Sequence, residues 1–505
     1  MIPSILRKEE GKINTASETT GKDLRMDRII EFFEDHGKYR SNADVFIHPL
    51  NDRENIIFRQ EVMKDFENTE LRNKIRLFAN NLRSLEAQLE KMQHIKSEQL
   101  NLIECSNILL VVKKYCEEIE RFPKEITPYI ESEGMKSILT GIHEYINGEQ
   151  FHTVKIKLGS LYESLQKIQF CMLIKDGSFK IRPSENEKCV EDEIAKIFMR
   201  FVENSGKIEN NSRCGIRNAS HIDEAVLKQL SKWYGKEMEN VRIFAGEYRD
   251  IIDSEILQFA EEVFFYIRWQ DMISPLREKG LKFCYPKFSD REQIYCEEGF
   301  DLALGLELIG KNKTIVSNSF YLKNDEKVII VSGPNQGGKT TFARSFGQAF
   351  YLASLGCSIP GAKAVMRCSD RIFTHFEKEE TRGAEGGKLQ DDISRLHEIM
   401  KEATSESVLV INEIYSSTTL QDAVYLGTRM MEEISQKGCI AICVTFLDEL
   451  ADYDEHTVSM MSTRDEATRK RSYKIVRKTA DGVADAMSLA TYYGLDYQCL
   501  KRRLL

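Results

Sequence analysis

Apolar side chains recur through residues 71–92 as Leu71, Ile75, Phe78, Leu82, Leu85, Leu89 and Met92, with spacing that alternates four and three. This is a heptad seam. Three repeats are short for a free coiled coil, so the segment is read as one helix packed inside a bundle. A second long helical stretch runs from His221 to about Ile273. Ile222, Val226, Leu230, Trp233 and Tyr234 share one side of it, and Gly235 and Gly246 are the expected bends. Only nine prolines occur in the chain, none between Pro183 and Pro275, which suits helix. Between the helical stretches, "MLIKDGSFKIR" (172–182) places two alternating runs around Asp176-Gly177, a hairpin signal. The polar segments 184–193 and 203–215 read as surface loops with a short helix between them.

After Pro286 the pattern changes. Short β-rich runs ("KTIVSNSFYL", "KVIIVSG", "SVLVINE", "CIAICVT", "SYKIVRK") alternate with helices from 339 and from about 421. Strand–helix alternation predicts an α/β domain with a largely parallel sheet. The expected organisation is an N-terminal extension (1–24), a helical arm (25–289) and a nucleotide-type α/β domain (290–505).

Composition changes this picture little. With 42% hydrophobic and 30% charged residues the chain reads as an ordinary folded protein. It has no run of 18 apolar residues, so no membrane span is expected, and its start is too weakly apolar for a secretory signal. Twelve cysteines without CxxC spacing suggest neither a metal cage nor a disulfide framework, and suit a reducing cytoplasm. A net charge of −9 argues against an overall basic nucleic-acid binder and leaves a local basic surface open.

The sharpest chemistry is "VIIVSGPNQGGKTT" (328–341), where Gly333, Gly338, Lys339 and Thr340 fill GxxxxGK[ST] between a strand and a helix. Glycines let backbone N–H groups turn inward around phosphate, and the helix N-terminus adds its positive end. Lys339 would reach the β- and γ-phosphates, and the Thr340 hydroxyl is a Mg²⁺ ligand candidate. Some 70 residues on, "VLVINE" ends in Asn412-Glu413, where such enzymes place acids for the metal and the water. Glu413 can act as general base. Asn412 can bond a metal-bound water but brings no negative charge.

Several of these segments resemble the MutS family of DNA mismatch-repair ATPases. "GPNQGGKTT" is similar to its GPNxGGKST loop, and "SLGCSIPGAKAVMRCSDRIFTHF" to the stretch leading to a DRIFTR-like strand. "VINEIYSSTTLQDA" resembles DEIGRGTSTYDG, "VTFLDEL" resembles ATHYHEL, and "DGVADAMSLATYYGL" resembles the closing helix. "PLNDRENIIFRQEVMKDFEN" (49–68) is similar to the start of the family's helical core. The resemblance implies an α-helical core and lever domain followed by an α/β P-loop ATPase domain of ABC type. It implies ATP and Mg²⁺ as cofactors and a homodimer whose partner completes each site. Gly333, Pro334, Asn335, Gln336, Gly337, Gly338, Lys339, Thr340 and Thr341 would bind nucleotide, with Asn335 near the γ-phosphate and Asn318 near the adenine. Thr340 and Asn412 would serve the metal, Glu413 the water, and Thr418, Thr419 and Asp422 the subunit junction.

The departures are specific. Asn412 stands for an Asp, Phe446 for a His, and Tyr415-Ser416-Ser417 for Gly-Arg-Gly. The signature segment reads "EGGKLQDD" (385–392), and the family's mismatch-reading domain has no counterpart before residue 25. "FFE" at 32–34 matches that domain's wedge by letters only and reads as core packing. The stretch 464–478 carries seven basic and two acidic residues. It could meet DNA phosphates, but reads first as a solvated strand face. The expected function is a slow ATPase dimer whose arms contact duplex or branched DNA, or a protein partner. The alternative is a nucleotide-gated binding module with little or no turnover.

Overall fold

A computed structural model describes residues 2–8, 15–33, 40–93, 100–175, 178–184, 221–289, 293–311, 313–323, 325–377, 387–464, 471–480, 495, 497, 499 and 501. The polar segments at 185–220, the hairpin turn at 176–177 and the closing-helix stretch 481–494 lie outside the described residues. The chain divides into two units that cut across the segments expected from sequence. One comprises residues 1–2, 74–128 and 139–260; the other comprises 3–73, 129–138 and 261–505.

The first unit is helical. The heptad residues Ile75 to Met92 are buried on the helix Thr69–Gln93, as a packed bundle helix requires. Phe78 stacks on Phe122 of the helix Leu102–Ile126, with ring centroids 3.7 Å apart. Asn101 and Glu104 form a reciprocal cap at the start of that second helix. The predicted hairpin is present: β1 (Phe170–Lys175) and β2 (Ser178–Pro183) pair antiparallel, with Lys175 opposite Ser178. The long helical stretch is three helices, His221–Trp233, Gly235–Tyr248 and Ser254–Glu278. A break falls at Gly235 as expected, but Gly246 sits within a helix. The second break comes at Asp253, whose carboxylate caps the next helix by accepting from the N–H groups of Glu255 and Ile256 at 2.9 and 3.2 Å.

The second unit carries three sheets among its described residues. Its strands are β3 (Phe283–Cys284), β4 (Lys287–Phe288), β5 (Ile294–Gly299), β6 (Asn318–Leu322), β7 (Val328–Ser332), β8 (Ile359–Pro360), β9 (Lys363–Met366), β10 (Ile372–Phe376), β11 (Val408–Asn412), β12 (Ile440–Val444), β13 (Thr457–Arg464) and β14 (Arg471–Arg477). The central sheet has the order β10-β11-β12-β7-β13-β14, parallel except for the antiparallel β13–β14 pair. A smaller mixed sheet runs β4-β9-β5-β6, and β3 pairs with β8. β7, β11 and β12 are buried along their whole length, which is why their sequences are continuous apolar runs. β13 was not anticipated. Its Thr-Val-Ser-Met-Met-Ser run lacks such a signature, yet it pairs directly with β7.

Residues 3–73 belong to this unit. Ser17 caps the helix Glu18–Asp23, and Thr20 Oγ1 donates to the Ile372 carbonyl on β10 at 3.2 Å. The Leu24 side chain, fully buried, lies where the helix Lys339–Ser354 has Gly347; a Cβ there would sit 2.5 Å from Leu24 Cδ2. The Arg59 guanidinium, also buried, donates to the carbonyls of Leu6 and Leu355. Phe33 is core, against Phe46 at a centroid distance of 4.5 Å, whereas Phe32 is 55% exposed.

Candidate functional site

The phosphate loop leaves β7 at Ser332 and ends in the helix Lys339–Ser354. Gly333 and Gly338 adopt φ of 108° and 92°, a region that L side chains disfavour. A second constraint lies beneath. Cβ atoms on Gly333 and Gly337 would approach the Ser462 Oγ of β13 to 2.6 and 2.5 Å. β13 is therefore the floor of the loop, and both glycines are needed for the backbone to lie against it.

Lys339 is buried and turned onto its own loop. Its Nζ donates to the carbonyls of Gly333 and Pro334 at 2.7 and 3.2 Å and to Asn335 Oδ1 at 3.4 Å. Burial lowers its pKa, and the nearby Glu413 charge acts in the opposite direction. Beside it opens a cavity of about 450 Å³. Its lining combines polar residues, among them Gln336, Lys339, Thr340, Thr341 and Glu413, with the apolar Leu304, Leu308, Ile315 and Val316. A further cavity of about 350 Å³, walled by Ser17, Pro49, Tyr351 and Arg371, holds none of the nucleotide, metal, water or junction residues expected from sequence.

The acid strand meets this cavity from below. Val410 and Asn412 are alternate residues of β11, and Val410 Cγ2 would lie 3.0 Å from a Cβ on Gly347, so their shared face is that of the phosphate-loop helix. Asn412 is buried, and among the described residues its Oδ1 has no hydrogen-bond donor. A buried acceptor of this kind suits a bound water or a metal-bound water. Glu413 turns out of the strand at φ 52°, pinned by its N–H donating to the Val444 carbonyl at 2.9 Å. Tyr415, at φ 57°, is also left-handed and buried in the core under the sheet. Ser416 donates to Glu377 Oε1 at 3.1 Å, and Lys388, from the described part of the signature segment, bonds both groups. The loop after Glu413 is thus tied to the end of β10 from within the same chain.

Thr418, Thr419 and Asp422 form a local cap. Thr419 Oγ1 accepts from the Asp422 N–H at 3.2 Å and donates to its Oδ2 at 2.7 Å, and Thr418 reaches the same oxygen at 3.4 Å. Beside this cap, on the helix Leu420–Lys437, Leu420 and Tyr425 are 62% and 61% exposed. Phe446 is likewise open to solvent.

Asn318 lines the cavity, but its amide is occupied. It donates to the Tyr473 carbonyl at 3.1 Å and accepts from the Ile475 N–H at 2.9 Å, joining β6 to β14. Tyr473 itself, at φ 56°, was not singled out from sequence; its side chain rests against Gly338 and lines the cavity. Two cations of the basic stretch are engaged within the fold: Lys474 with the Ser317 carbonyl and Arg477 with the Glu326 carboxylate. Residues 465–470 of that stretch lie outside the described residues.

Residues 329–496 match the family described as MutS domain V. The chain is 21% identical over 460 residues to the DNA mismatch repair protein MutS of Thermotoga sp. (strain RQ2), covering 87% of this chain and 57% of that protein. It is 29% identical over 189 residues to the DNA mismatch repair protein MutS of Acetivibrio thermocellus, covering 37% and 22%. It is 26% identical over 190 residues to the Endonuclease MutS2 of Thermus thermophilus, covering 37% and 25%. The chain spans a little over half the length of the curated relatives it matches along most of its own length.

Proposed function

Because this chain is a member of the MutS family, we propose that it binds ATP with Mg²⁺ in the cavity beside Lys339 and hydrolyses it slowly. The observation that carries this reading is one cavity lined by a glycine-shaped phosphate loop, a buried lysine and a strand-end glutamate. A phosphate oxygen would compete with the Gly333 and Pro334 carbonyls for the Lys339 ammonium, and a charged acceptor wins over neutral ones. Thr340 Oγ1 and, through water, Asn412 Oδ1 would hold Mg²⁺, whose chemistry is to neutralise charge on the β- and γ-phosphates. The Asn412 oxygen, without a donor among the described residues, fits that role. Glu413 accepts the proton of the attacking water. With a carboxamide for a carboxylate and Phe446 in place of a histidine, turnover is slow.

The protein acts as a homodimer, with Thr418, Thr419 and Asp422 at the junction. The exposed Leu420 and Tyr425 beside them support a second copy packing there. Its helical residues contact duplex or branched DNA in repair or recombination. The neutral Asn412 also favours a second reading, a nucleotide-gated module without turnover. Steady-state hydrolysis by wild type, Glu413→Gln and Asn412→Asp separates the two. The first reading expects Glu413→Gln to abolish turnover and keep ATP binding. A wild type as silent as Glu413→Gln, with Asn412→Asp faster than both, would establish the second.

A further inference from the structure

Asp301 is buried at the start of the helix Leu302–Leu308, and both its carboxylate oxygens are engaged. Oδ1 accepts from the Leu304 N–H at 3.1 Å and from Gln348 Nε2 at 2.8 Å, while Oδ2 accepts from Arg344 Nη1 at 3.3 Å. Gln348 closes the ring, its Oε1 accepting from the Leu302 N–H at 2.8 Å. Arg344 and Gln348 are four residues apart, so they project from one face of the helix Lys339–Ser354. That helix begins at the phosphate loop. The helix Leu302–Leu308 contributes Leu304 and Leu308 to the lining of the same cavity. At seven residues it is too short to hold itself together, so its place depends on what caps and brackets it.

We propose that Asp301 is a positioning residue for nucleotide selection. It fixes the apolar wall of Leu304 and Leu308 at a set distance from the phosphate loop. The site then binds a nucleoside triphosphate through its apolar as well as its polar lining, instead of any polyphosphate through the polar residues alone. This rests on the nucleotide reading above. Asp301 touches no ligand; it acts through the wall it caps. In Asp301→Asn one of the two acceptor oxygens becomes an NH2 group, set against either the Arg344 donor or the Gln348 and Leu304 donors, and the bracket opens. Arg344→Gln removes one strut and leaves the cap on Leu304 intact.

The test is calorimetric titration of wild type, both single variants and the double variant with ATP and, separately, with inorganic tripolyphosphate, magnesium present throughout. Each single variant is expected to weaken ATP binding about tenfold while tripolyphosphate changes less than about twofold. The double variant is expected to be no worse than Asp301→Asn, because one bracket breaks once. Thermal melting checks that each variant is folded, and Arg344→Gln decides the matter if Asp301→Asn is not. A folded variant that loses both ligands equally, or neither, overturns the proposal. A wild type that binds neither ligand overturns the nucleotide reading and this inference with it; a wild type that binds both, with non-discriminating variants, overturns this inference alone.

Discussion

Gly347→Ala is the sharpest probe of how the N-terminal residues are built into the nucleotide unit. Alone in a helix, the change should stabilise by about 1 kcal/mol. Here the new methyl would meet Leu24 Cδ2 at 2.5 Å and Val410 Cγ2 at 3.0 Å, with Leu24 fully buried. Overpacking of this kind costs about 1–3 kcal/mol, so the net effect is destabilising by roughly 0–2 kcal/mol. Leu24→Ala alone leaves a cavity and costs about 2–5 kcal/mol. In the double variant the added methyl occupies part of the space that Leu24 leaves. The two changes should therefore couple by about 1–2 kcal/mol in the favourable direction. The chain has two tryptophans, Trp233 in the first unit and the buried Trp269 in the second. In a Trp233→Phe background, fluorescence through a urea titration reports the second unit alone. Additivity of the two changes within about 0.5 kcal/mol would show that Leu24 does not rest on Gly347, and the reasoning fails.

Other expectations follow the same logic. The depressed pKa of Lys339 means its charge is lost below the ordinary lysine value of 10.5, so ATP affinity should weaken as pH rises toward that value. Bound phosphate restores the charge, so binding on the alkaline side takes up a proton, which titrations in buffers of differing ionisation heat will detect; a flat profile speaks against it. Tyr415→Gly relieves a left-handed backbone worth about 1–2 kcal/mol but empties a buried aromatic site worth about 3–5, so thermal melting should show net destabilisation. Because Lys474 and Arg477 are held inside the fold, replacing either by Ala should leave the salt dependence of any DNA binding unchanged; a slope reduced by about one would place it on a phosphate. Gly337→Ala should abolish ATP binding in a titration, since the Cβ would lie 2.5 Å from Ser462 Oγ; retained affinity would refute the role of β13 as floor.

What could be read from the chain alone followed where one physical signal dominates. β7, β11 and β12 announce themselves as apolar runs because both faces of each are covered. The phosphate loop is legible because only glycine fits two of its positions. β13 was missed because a strand with Ser462 and Ser459 among its residues carries no periodic apolar pattern, although it borders β7. Asp301 reads as an ordinary helix cap until Arg344 and Gln348 are seen beside it. Asn318 carries a task its position in the family pattern does not announce: while lining the cavity, its amide joins β6 to β14. The docking of residues 17–24 against β10 and Gly347 depends on contacts across more than 320 positions, which local pattern cannot encode.

The second unit is assembled from three separate stretches of chain, and Thr20 waits for Ile372, 352 residues later. At ordinary ribosomal speeds of about 5–20 residues per second, that partner emerges roughly 20–70 s after it. Until then Leu24 and the residues around it have no groove to enter. A fragment starting at residue 290 would be synthesised whole yet expose Gly347 and the β10 edge to whatever apolar surface came by. Recombinant dissection of this protein should therefore carry its first residues along with its last, or expect inclusion bodies.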